Sequence, residues 1–156
     1  MTRSRKGTML GRSARIKRTV VIMAAAAGSA VNANELGNAM RIQISAPGGT
    51  AIAVLDDNTA ARDFLALLPL KLVLEDYAAT EKISDLPRRL STDGAPAGIT
   101  PSAGDITFYA PWGNLAIFHK TFRYSEGLVK LGRIESGLDA IEAPARVPVT
   151  FERLKD

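Results

Sequence analysis

Between Met40 and Ser45 every second residue is apolar. Met40, Ile42 and Ile44 share one side; Arg41, Gln43 and Ser45 share the other. Successive side chains of an extended chain point to opposite faces, so this pattern predicts a strand with one buried face. It recurs in "LKLVLEDY" (Leu70–Tyr77) and in "RVPVTFERL" (Arg146–Leu154), where Val147, Val149 and Phe151 share a face; "TAIAVL" (Thr50–Leu55), "DITFYA" (Asp105–Ala110), "LAIFHKTF" (Leu115–Phe122) and "LVKLGRI" (Leu128–Ile134) read as further strands. "APGG", "PWGN" and "RYSEG" supply turns between neighbours, which predicts antiparallel hairpins. Many short strands with few helices predict a mainly β fold, an antiparallel barrel of about seven or eight strands. Pro148 lacks an N–H for a ladder, which predicts a sheet edge or a barrel end at that point.

Helix signals are few. Asp56, Asp57 and Asn58 are capping residues, and Ala61, Phe64, Leu65 and Leu68 then share one helical stripe until Pro69. This predicts one main helix of about three turns. A second, short helix is expected in the second half of "LGRIESGLDAI", with Ser136 as N-cap and Asp139 completing a capping-box-like pair, and Pro144 closing it. Gly132 in that stretch marks a bend or the close approach of another element. Residues 78–104 carry no regular pattern and are read as a long loop, with room for a hidden short strand.

Charge separates the chain into two parts. Residues 1–33 hold seven Lys or Arg and no acid, whereas residues 34–156 hold the other 13 basic and all 16 acidic residues, a net of −3. The body therefore has no basic block for phosphates, and no nucleic-acid partner is expected. In the leader a basic stretch precedes the 13-residue apolar run Thr19–Val31 and then small residues up to Ala33. That order predicts a signal peptide over 1–33, a linker over 34–39 and one domain over 40–156. The run is too short to be a stable membrane anchor. A periplasmic or secreted protein is expected, or a cytoplasmic one if translation starts at Met40. With no cysteine there is neither a disulfide nor a thiolate site.

Three blocks, "LEDYAATEKISDLP", "GDITFYAPWGNLAIF" and "GLVKLGRIESGLDA", together resemble a bacterial cyclophilin-like domain family over about Met40 to Arg153. The likeness implies a cyclophilin-like barrel. Asp63-Phe64 is similar to an Asn-Phe step of cyclophilins, and Gly132-Arg133-Ile134 with Gly137-Leu138-Asp139 is similar to their Gly-Lys/Arg-Val and Gly-Met-Asp motifs. The Phe-His-Arg and Phe-x-x-Gln-Gly-Gly motifs of true cyclophilins are missing. Arg88 and Arg89 stand in the corresponding stretch without their aromatic and Gln neighbours. A prolyl isomerase with a displaced arginine is thus the alternative to a non-catalytic module that binds a peptide or small molecule at the barrel mouth.

The expected ligand-binding residues are Tyr77, Glu81, Arg88, Trp112, Asn114 and His119. His119, the only histidine, is read either as an acid–base group or as a packed imidazole on the face of Leu115 and Ile117. Trp112 either lines a groove or caps an open barrel end. Glu75, Asp76, Glu81 and Asp85 are read as a solvated acidic loop rather than a cation site, because their spacing fits no calcium loop. "STDGAPAG" lacks a phosphate-loop lysine, and Gly-x-Ser-x-Gly is absent. No metal and no cofactor is implied.

Overall fold

The computed structural model describes residues 40–155; the expected leader and linker lie outside that range. Eight strands close into an antiparallel barrel: β1 (Arg41–Ala46), β2 (Gly49–Leu55), β3 (Leu70–Tyr77), β4 (Glu81–Asp85), β6 (Asp105–Tyr109), β7 (Asn114–Phe118), β9 (Leu128–Ser136) and β10 (Val147–Arg153). Around the barrel they run β1-β10-β3-β4-β7-β6-β9-β2. Two short strands outside it, β5 (Gly98–Ile99) and β8 (Ser125–Glu126), pair with each other.

Alternation sorts the side chains as expected. Ile42, Ile44, Ala53, Leu55, Leu74, Ile106, Phe108, Leu115, Ile117, Leu131, Val147, Val149 and Phe151 point inward and are buried together. Pro148 sits near the start of β10, where only β3 is paired; the ladder with β1 begins at Thr150. Its missing N–H thus falls on a locally unpaired side of a barrel that has no continuous edge.

The main helix, α1 (Thr59–Leu65), is shorter than expected, at seven residues. Asn58 caps it: the side-chain oxygen accepts from the Ala61 N–H at 2.8 Å. Pro69 disfavours helical geometry at Leu68, so the chain tightens first, with Leu67 and Leu68 bonding three residues back. Phe64 meets Phe151 edge-on at 5.7 Å, which seats α1 over one end of the core. Asp63 faces outward and accepts a two-pronged pair from Arg88 (2.6 and 2.9 Å) and the Ser91 N–H (2.8 Å). The segment after β4 is thereby tied to the helix.

The opposite end is closed by the chain after β9. Ser136 is not a helix cap but the last residue of β9. The turn begins at Gly137, with φ 76°, and only Leu138–Ala140 form a single 3-10 turn. A backbone approach explains why. A Cβ on Gly137 would lie 2.2 Å from the Thr50 carbonyl oxygen, and one on Gly132 2.2 Å from that of Val54. Ile141 is buried behind the turn. Lys82, inward on β4 and fully buried, closes the same end. Its ammonium donates to the carbonyls of Ala143 and Ala145 (the latter at 3.1 Å) and pairs with Asp76 at 3.0 Å. Three donors meet three acceptors, which makes this buried charge tolerable.

The 78–104 segment is more regular than expected. β4 occupies its start, joined to β3 by a tight turn in which Ala78 and Ala79 both have positive φ (51° and 54°). Two such residues make a hairpin turn that matches strand twist. Asn-Gly is its usual signature, and Ala-Ala conceals it.

Two measurements check this construction. Gly132→Ala drives a methyl group into β2 backbone and is expected to destabilise the fold by about 3 kcal/mol, seen as a melting point lower by roughly 10 °C; an unchanged melting point contradicts the close approach. Hydrogen bonding from Arg88, then from the Ser91 N–H, holds the Asp63 carboxyl below the usual range. A depressed folded value contributes stability above the unfolded carboxylate range and loses it as pH falls through the folded value. Asp63→Asn is therefore expected to lower the melting point at neutral pH and to match the wild type near pH 2. A deficit that persists undiminished in acid contradicts the pairing.

Candidate functional site

The barrel's outward face carries the candidate site. On β7, Leu115 and Ile117 enter the core, so Asn114, Ala116 and Phe118 face out. Register places Glu81 opposite Phe118, and Tyr77 opposite Glu81. It also places Tyr109 opposite Asn114, and Leu128 opposite Tyr109. Two cross-strand rows, Tyr77–Glu81–Phe118 and Asn114–Tyr109–Leu128, thus lie on one wall.

Turns and loops roof those rows. The Pro111–Gly113 turn brings Trp112 across the wall, where it meets Tyr77 at 5.6 Å and Tyr109 at 5.3 Å, nearly perpendicular to both. Phe122 stacks on Phe118 at 6.4 Å, held by its N–H to the Pro101 carbonyl at 3.1 Å. The Arg123 guanidinium lies 4.9 Å from the centre of the Phe122 ring. A cavity of about 330 Å³ remains, lined by these residues with Ala78, Thr80, Ser125 and Leu128.

Polar side chains share the lining with the rings. Glu81 is half-buried, and desolvation pushes its carboxyl above the usual value. The Thr80 hydroxyl stands beside it outside hydrogen-bond geometry and lowers that value less. Asn114 is 3% exposed; its amide nitrogen donates to the Leu115 carbonyl at 3.2 Å, while its Oδ1 is buried with no donor. Ala78 and Ala79 place a left-handed turn at the cavity's edge, a conformation costing roughly 1–2 kcal/mol per non-glycine residue. Strain of that kind concentrates at functional sites.

Four of the six expected residues, Tyr77, Glu81, Trp112 and Asn114, therefore line one cavity. Arg88 does not; it is committed to Asp63. His119 does not either. β7 ends at Phe118, the His119 N–H turns to the Thr80 carbonyl at 3.0 Å, and the ring sits near Asp76 with Nε2 buried and unpaired. The cavity that gathers these four lies on the outer wall, while α1 packs over one end of the barrel and Lys82 with residues 138–146 over the other.

The expected acidic loop is a hairpin whose carboxylates diverge. Glu75 pairs with Arg146 at 2.8 Å, Asp76 with Lys82, and Glu81 enters the cavity. Among the described residues no group of His, Asp or Glu is placed to hold a metal ion. Sequence reasoning missed Tyr109, Phe118, Phe122 and Arg123. The parity of "DITFYA" could have found Tyr109, since it opposes inward Ile106 and Phe108. Phe122 and Arg123 are held by loop packing, which leaves no local pattern.

No helix among the described residues is long and apolar enough to cross a membrane. No curated protein matches the sequence significantly. The fold is similar to the solution structure of a hypothetical protein from Archaeoglobus fulgidus, with a TM-score of 0.54 and 15% identity over 76% of this chain and 97% of that one. A family model described as the cyclophilin-like family matches residues 44–152. With that match spanning most of the barrel, the chain belongs to the cyclophilin-like family.

Proposed function

We propose that this chain is an exported binding domain that holds a peptide side chain or a small molecule in the outer-wall cavity and performs no catalysis on it. One observation carries the reading. The cavity combines aromatic walls with a desolvated carboxyl and a buried amide oxygen that lacks a donor. Ligand sites join apolar and aromatic walls to placed polar groups that fix orientation, and here rings and polar side chains share the lining. An unsatisfied buried acceptor costs about 1–3 kcal/mol, which a ligand donor would recover.

The non-catalytic part rests on Arg88. Prolyl isomerisation by a displaced arginine needs a guanidinium free to face the prolyl nitrogen, and this one is engaged with Asp63, away from the cavity. Export rests on the basic, then apolar, then small-residue order of residues 1–33.

Trp112, the only tryptophan, reports on the site directly. Titration with a panel of end-blocked tripeptides is expected to change its emission saturably for at least one member. Tyr77→Ala is expected to weaken that binding about tenfold or more, the loss of one well-packed ring. In a protease-coupled proline-peptide assay no acceleration is expected; acceleration that disappears in Arg88→Ala contradicts the non-catalytic reading. N-terminal sequencing of the mature protein is expected to find a chain that starts near Asn34 outside the cytoplasm, and a cytosolic chain beginning at Met40 contradicts export.

A further inference from the structure

Most of the cavity's uncommitted groups share one polarity. Glu81 offers a carboxylate, and among the described residues no cation pairs with it. Asn114 offers Oδ1, buried and without a donor. Tyr77, Tyr109 and Trp112 offer aromatic surfaces, with Trp112 standing at 88° and 81° to the two tyrosines. Rings at right angles enclose a volume from two sides, and each face is the negative end of a quadrupole. The cavity's one cationic side chain, Arg123, is exposed and lies over Phe122, 4.9 Å from the ring centre. Glu81, Asn114 Oδ1 and the ring faces thus favour positive charge or an N–H donor, while the unpartnered Thr80 hydroxyl can serve either role and the Arg123 guanidinium is turned onto Phe122.

Resting on the binding reading of this same cavity, we infer that its ligand is an organic cation bearing N–H donors, an alkylammonium or guanidinium group, seated against the free surfaces of the Tyr77, Tyr109 and Trp112 rings with its N–H groups toward Glu81 and Asn114. A hydrocarbon would leave the half-buried Glu81 carboxyl and the buried Asn114 Oδ1 without a partner, which costs binding free energy. A carboxylate or phosphate would meet Glu81 at close range and be repelled. The burial that raises the Glu81 carboxyl also favours the fit, since a neighbouring cation restores the charged form that desolvation disfavours. The same chemistry comes from two sources, a free amine or a Lys or Arg side chain within a peptide.

The test uses the full chain and Trp112 emission with four probes: n-butylammonium, Nα-acetyl-lysine methylamide, its uncharged analogue without the ammonium group (Nα-acetyl-norleucine methylamide), and butyrate. Both ammonium probes are expected to bind saturably. The lysine amide is expected to bind at least about tenfold tighter than the norleucine amide, the scale of one desolvated cation–π and ion-pair contact. Glu81→Gln is expected to remove that preference while leaving the melting point within a few degrees of the wild type, since the side chain lies outside the core. A lysine amide tighter than butylammonium supports the inference with a peptide source; equal affinities support it with a free amine as the source. Norleucine amide or butyrate binding as well as the ammonium probes overturns the cation inference and leaves the cavity a binding site. A lysine preference that survives Glu81→Gln overturns the seat proposed for the charge. No response to any of the four probes overturns the cation inference, while the tripeptide panel separately decides whether the cavity binds at all.

Discussion

The barrel depends on how closely β9 lies against β2. At Gly132 and Gly137 the partner's carbonyl oxygens stand where a side chain would begin, so the seam admits no Cβ at either position. Register shifts beside Ile52 on this seam, and again beside Ile106 where β9 pairs with β6. Such irregularities bend a strand and increase its twist, which a sheet needs in order to close on itself. Closure removes free edges and fixes two faces for every strand. The inner face is filled. On the outer face the segments after β6 and β7 roof part of the wall.

Charge placement follows the same division. Lys82 is inside, with its three donors met by two carbonyls and Asp76, whose carboxyl is held below the usual range mainly by that hydrogen bond. Asp105, also buried, meets the partly exposed Lys130 at 3.2 Å. Arg88 is engaged with Asp63 and Arg146 with Glu75. These pairs hold loops and ends to the barrel. Glu81 differs from them because it is desolvated without a cation, although it lies only one residue from Lys82. Strand alternation explains the difference: it sends Lys82 to the inner face and Glu81 to the outer one.

The inner face was legible because a period of two needs only local sequence, and Ile42, Ile44, Val147, Val149 and Phe151 follow it without exception. β4 was not legible as a barrel strand, since its turn is Ala-Ala and its inward residue is a lysine. The helix after β9 was overread. Ser136 and Asp139 have the spacing of a capping box, but the approach of Gly137 to Thr50 ends the strand in a left-handed turn instead. Within the site, Tyr77 was legible at a strand end, Glu81 in the 78–104 loop, and Trp112 and Asn114 in the "PWGN" turn. That they share an outer wall was not, because it depends on the β3–β4–β7–β6–β9 order, a product of long-range pairing. The same long-range packing separates Arg88 and His119 from them.

The central claim is that this outer-wall cavity takes a ligand. Mapping amide and indole NMR shifts of the ¹⁵N-labelled full chain during titration with Nα-acetyl-lysine methylamide tests it most directly. The expected result is a saturable set of shifts at Tyr77, Glu81, Tyr109, Trp112, Asn114 and Phe122, with Arg88 and the Lys82 end of the barrel unmoved. Saturable shifts centred on His119, Asp76 and Lys82, with the Trp112 indole unchanged, would contradict it.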